Sequence, residues 1–166
     1  MPFIENAAAD DMNKAFHKDP GSNSMLIQIM DTATYWWPEA KHDFMETHRF
    51  EFLDIEADDT VYDEECRISD VQAGQLVALL QKALANDMNV IVHCYAGLCR
   101  SGAVAEIGVQ MGFTDTGRFR SPNVLVKHKM MKVLGYAYDE NEKYVMGDDW
   151  VNYNIHGYRK SEDECS

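Results

Sequence analysis

Positive charge is scarce in this sequence beside its negative charge. Fifteen lysines and arginines stand against 28 aspartates and glutamates, a formal net charge of −13. Binding to nucleic acid or to an anionic membrane surface draws on clustered spare cations, so neither is an expected partner. No apolar run approaches the ~20 residues of a membrane span, and Met1 to Asp11 lacks the basic-then-apolar order of a secretory signal. The expectation is a soluble, intracellular, cytoplasmic protein. Its four cysteines, Cys66, Cys94, Cys99 and Cys165, are too few and too irregularly spaced for a disulfide framework, which suits a reducing compartment. Internal repeats and low-complexity tracts are also missing.

Apolar residues are not scarce. At 166 residues and 46% hydrophobic, the chain can bury one real core, so one domain over residues 1–166 is expected, its core within about 25–135 and its acidic, polar ends frayed. Met25 to Met30 is a short apolar run behind Gly21-Ser22-Asn23 and reads as a buried strand. Phe50, Phe52, Leu53 and Ile55 suggest a second. Ser69 to Ala85 puts Val77, Leu80 and Leu84 on one helical face, with Ser69 or Asp70 as cap and Asn86-Asp87 as the stop. Asn89 to His93 is β-branched and apolar, the mark of a central strand. Arg100 to Val109 reads as a helix of small residues. A last helix is expected from Ser121 as cap, with Pro122 at the first position, through Leu125 and Met131 to Gly135. Thr32 to Asp43 reads as irregular. Strands alternating with helices predict an α/β fold with a central, mostly parallel sheet flanked by helices.

One stretch carries chemistry: Val92-His93-Cys94-Tyr95-Ala96-Gly97-Leu98-Cys99-Arg100-Ser101-Gly102. Cys94 ends a buried strand and Arg100 opens a helix. The residues between them, Tyr95, Ala96, Gly97, Leu98 and Cys99, must turn so that backbone N–H groups face a common centre on the positive end of the helix dipole. Such a nest suits a phosphate-sized oxyanion, and its field favours a thiolate at Cys94. Arg100 offers a planar fork for two phosphate oxygens, which lysine cannot reproduce. Ser101 can donate its hydroxyl to the sulfur, and His93 fits ordering of the loop better than proton transfer. Cys99 reads as a loop filler, with capture of an oxidised Cys94 as the alternative. Metal ligation by Cys94, Cys99 and His93 is disfavoured: a fourth ligand at fitting spacing is absent and Arg100 would repel a cation. No cofactor is expected.

His93-Cys94-(five residues)-Arg100-Ser101 resembles the signature of the cysteine-dependent protein tyrosine phosphatases. Its position past the middle of a short chain resembles the small dual-specificity branch. Upstream, Ile55-Glu56-Ala57-Asp58-Asp59-Thr60 is similar to that branch's strand and general-acid loop, and downstream Ser121-Pro122-Asn123 is similar to the Pro-Asn that opens a late helix. The resemblance covers roughly Leu26 to Leu134. It implies a phosphatase-like three-layer sandwich and a two-step reaction, in which Cys94 attacks phosphorus and a carboxylic acid protonates the departing oxygen. The same carboxylate then activates water against the phosphocysteine. The implied substrate is a phosphorylated protein or peptide bearing phosphotyrosine, with phosphoserine and phosphothreonine left open.

In the family the acid lies some thirty-odd residues before the cysteine, a spacing that leaves Asp59, Asp58, Asp63 and Asp54 open. Asp59 is favoured by its place in the Ala57-Asp58-Asp59-Thr60 loop, although with 28 acidic residues a solvated carboxylate there is the plain alternative. Asn123 either caps its helix or positions the hydrolytic water. Trp37-Pro38-Glu39 lies too far upstream to be an acid loop and reads as packing or rim. Three rival functions use a similar loop: hydrolysis of phosphoinositides or RNA 5′-phosphates, phosphate binding with weak turnover, and rhodanese-like sulfur transfer. The first calls for extra cations that Tyr95, Ala96, Leu98 and Cys99 do not supply. The intact Cys94 and Arg100 speak against the second, and Ser101 with the candidate acid loop against the third.

Overall fold

A computed structural model of the chain describes residues 1–56 and 66–136. In chain order its elements are β1 (Phe3–Ala8), α1 (Ala9–Met12), β2 (Ser24–Met30), β3 (Glu46–Glu51), α2 (Asp70–Ala85), β4 (Asn89–Cys94), α3 (Arg100–Met111), β5 (Thr114–Asp115) and α4 (Val124–Val133). The strands form one sheet in the order β3-β2-β4-β1-β5, parallel at every pairing among the described residues. Among those residues no helix is long and apolar enough to cross a membrane.

Side chains alternate between the two faces of the sheet, as the strand repeat of two requires. Ile4, Met25, Ile27, Ile29, Val90 and Val92 join the larger core with α2, α3 and α4, while Phe3, Ala7, Leu26 and Ile91 pack on the other side with Met12 of α1. The helix layers are therefore unequal, and that second side is also covered by Ala40 and Phe44 of an irregular segment. All seven residues of β2 are buried, the polar Ser24 and Gln28 included, and the other five are apolar. The capping box at the start of α2 follows the sequence: Gln72 N donates to Ser69 Oγ at 3.0 Å and Ser69 N to Gln72 Oε1 at 2.9 Å. On α3, a Cβ at Gly108 would lie 2.7 Å from Ile4 Cδ1, so the small residues of this helix let it sit close on β1.

Three expectations change. The N-terminal end is not frayed: β1 runs between β4 and β5, with Phe3, Ile4, Ala7, Ala9 and Met12 in the core. Its polar members Glu5 and Asn6 are buried because Lys18 N donates to Glu5 and the Asn6 amide reaches two backbone carbonyls. The second strand lies earlier than Phe50 to Ile55: β3 pairs with β2 from Met25↔Glu46 to Met30↔Glu51, and as an edge strand it carries polar side chains outward that hide it from an apolar search. The last helix is capped by Asn123 and not by Ser121. Val126 N donates to Asn123 Oδ1 at 3.0 Å, while the Ser121 amide is tied to Leu98 O.

Two predictions follow from this packing. Ile4→Ala should cost about 2–5 kcal/mol in urea unfolding, the usual range for truncating a buried branched side chain; a loss near zero would remove β1 from the sheet. Two buried imidazoles, His93 and His128, are each pushed down to about 4, in both cases chiefly by loss of solvation. The unfolded chain binds their protons from about pH 6.5 downward and the folded chain only near 4, so stability should fall as pH drops across that window. Urea midpoints at about pH 7 and about pH 5 measure this, and glutamine at both positions should flatten the difference.

Candidate active site

The loop between β4 and α3 lies at the carboxyl end of a central strand, where open parallel sheets place their ligands. Its carbonyls are held from outside. Ala9 N donates to Tyr95 O at 3.1 Å, Asn6 Nδ2 to Gly97 O at 2.7 Å, Ser121 N to Leu98 O at 3.0 Å and Asn123 N to Cys99 O at 2.9 Å. In a planar trans peptide the next residue's N–H points opposite to the carbonyl, so these four ties turn the amides of Ala96, Leu98, Cys99 and Arg100 away from the supports. Gly97 has φ +78°, and a Cβ there would lie 2.5 Å from Ala8 N and 2.6 Å from Ala7 C. Only glycine permits both the turn and the close approach of β1.

Inside this frame the Cys94 sulfur is buried, 3.2 Å from Ser101 Oγ and 3.2 Å from the donating Gly97 amide. Arg100 is 5% exposed. Its Nη1 donates to Asp31 Oδ1 at 2.8 Å and to Phe52 O at 2.7 Å, whereas its buried Nε has no partner among the described residues. The guanidinium is thus held by one nitrogen and keeps a desolvated donor for an incoming acceptor. His93 is fully buried on β4, with Nδ1 3.3 Å from Cys94 O. Held near 4 by burial, with Arg100 nearby adding to the effect, it is neutral at physiological pH.

Asn123 is the joint between three segments. Besides capping α4 and donating to Cys99 O, its Nδ2 donates to Asp54 Oδ1 at 2.6 Å and to Ile55 O at 3.2 Å. Both amide hydrogens are spent, so a structural role accounts for it without a bound water. The Cys99 thiol hydrogen-bonds to Asp54 and is pushed up to about 11, first by burial and then by the Asp54 charge. A thiol held protonated is a poor trap for an oxidised Cys94, which favours the filler reading. Asp54 accepts in both contacts. Asp58, Asp59 and Asp63 lie outside the described residues.

Sequence reasoning missed Asn6 and Asp31. Asp31 directly follows β2, at a strand's carboxyl end, and that position was a usable signal. Asn6 had none, sitting in a segment that did not read as a strand.

No protein-family model matches the chain, and no curated protein matches it. Solved structures do. The Orf virus tyrosine phosphatase OH1 is 19% identical over 99% of this chain and 76% of its own, with a TM-score of 0.43. A mouse putative dual specificity phosphatase is 14% identical over 78% of this chain and 79% of its own, TM-score 0.48. Human DUSP28 is 15% identical over 80% of this chain and 92% of its own, TM-score 0.47. At these identities and scores the chemistry of the site stands on this chain's own residues.

Proposed function

We propose that the chain is a cysteine-dependent phosphatase of phosphotyrosine, extending to phosphoserine and phosphothreonine, on protein or peptide substrates. The observation that carries this reading is a buried Cys94 sulfur between Ser101 Oγ and the Gly97 amide, beside an Arg100 whose Nε is buried and open. A phosphate held on the loop amides and Arg100 presents phosphorus to Sγ. The S–P bond forms as the P–O bond to the leaving group breaks, and an acid supplies the proton the departing oxygen needs. Water then cleaves the phosphocysteine, and Ser101 Oγ, already 3.2 Å from the sulfur, stabilises the returning thiolate. A free thiol nucleophile needs a reducing compartment, the cytoplasm in this reading.

Polyanionic substrates are the weaker reading, because the neighbouring cations are already engaged: Arg118 with Asp11 at 2.6 Å, Arg120 with Asp115 at 3.0 Å and Lys127 with Glu106 at 3.2 Å. Hydrolysis of p-nitrophenyl phosphate, blocked by vanadate, is the first test. Cys94→Ser should abolish turnover and keep phosphate-analogue binding, since the cradle is backbone. Arg100→Lys should weaken both, because a point charge cannot replace the planar fork. Residual turnover in Cys94→Ser would remove the covalent mechanism, and an inactive wild type that still binds vanadate would favour a phosphate-binding module.

The general acid in this reading is Asp59, with Asp58 next and Asp63 and Asp54 behind. With a phosphotyrosine substrate the rate should describe a bell against pH, falling on the alkaline side as the acid loses its proton. Asp59→Asn should cost about 10²–10⁴-fold and flatten that limb, with less effect on substrates whose leaving groups need no proton. If Asp58→Asn does this and Asp59→Asn does not, the acid is Asp58.

A further inference from the structure

Among the described residues, exposed carboxylates stand beside the loop, while the cations nearest it are already ion-paired. Asp31 touches Arg100 yet leaves its own side chain 62% exposed. Asp54 meets Cys99 and Asn123, and Glu56 follows two residues later, close enough for its charge to act on the Cys99 thiol. The loop's own side chains add no charge: Tyr95 is 66% exposed and Leu98 37% exposed, both apolar surface. Arg118, Arg120 and Lys127 are held by Asp11, Asp115 and Glu106, and the buried Arg100 with its open Nε marks where an anion enters. One buried anion site therefore sits under a mouth that is negative and partly apolar.

We propose that this mouth selects phosphotyrosine flanked by lysine or arginine, with Asp31, Asp54 and Glu56 attracting the flanking cations and Tyr95 and Leu98 supporting the neighbouring apolar chain. The inference rests on the phosphatase reading above and names its substrate class. A phosphomonoester on a basic peptide satisfies both charges: its phosphate meets Arg100 and the loop amides, and its flanks meet the carboxylates. Acidic flanks or a polyphosphorylated headgroup bring like charges to the same three residues.

Three phosphotyrosine peptides of equal length, flanked by arginine, alanine or glutamate, test this by kcat/KM. The arginine peptide should exceed the glutamate peptide by about tenfold near 0.1 M salt, where the Debye length is about 10 Å, and the ratio should collapse near 1 M, where it is about 3 Å. Glu56→Gln and Asp54→Asn should each narrow the arginine-to-glutamate ratio, a quantity that uniform damage to the site does not move. Equal rates, a faster glutamate peptide or an arginine preference that ignores salt would each overturn the inference. Failure to hydrolyse even p-nitrophenyl phosphate would instead overturn the phosphatase reading beneath it.

Discussion

Four backbone carbonyls pulled outward hold this site together. Amides alone do not make an anion cradle; they must be kept turned to one side against their tendency to find partners in solvent or in the neighbouring chain. Here the opposing ends of the same peptide units are bonded to the start of α1, to Asn6 of β1 and to the segment entering α4. The loop is therefore preorganised: in the proposed reading an oxyanion would meet donors that folding has already turned to one side. Everything else at the site depends on this arrangement: the placement of Cys94 under the loop, the start of α3 at Arg100 and the close approach of β1 at Gly97.

The arginine obeys the same logic. Burying a guanidinium is costly unless its donors are met, and Asp31 with Phe52 O meets those of one nitrogen. Because Phe52 follows directly on β3 and Asp31 directly on β2, two strand ends fix the orientation of a side chain that belongs to a helix. Asn123 does similar work for the backbone: its carboxamide joins α4 to the stretch after β3, and its own backbone N–H donates to Cys99 O of the loop.

How much of this was legible depended on whether the information was contiguous. Cys94, Gly97, Arg100 and Ser101 lie within eight residues, each with a chemical type that limits its use, and α2 carries its own cap and stop. The buried strands β2 and β4 were equally plain, being apolar on both faces. β1 was hidden because Glu5 and Asn6 interrupt its apolar pattern, and their burial is tolerable only with partners contributed by distant segments. The shift of β3 and the choice of Asn123 over Ser121 as cap have the same origin. β3 carries only Phe50 as a buried apolar side chain among polar neighbours, and Asn123 is the cap because its Oδ1 accepts from Val126 N, a contact that local sequence did not mark.

The position of β1 also has a temporal side. Among the described residues it pairs with β4 and β5, so this strand has no sheet partner there until the chain has been extended by more than eighty residues. Pairings of such long sequence separation close slowly. The Asn6 amide that holds Gly97 O and the Asn123 amide that holds Cys99 O come from opposite ends of the described chain. During synthesis a nascent chain already carrying Cys94 and Arg100 still lacks the second of these supports, and it acquires the finished cradle only once the segment leading into α4 has emerged.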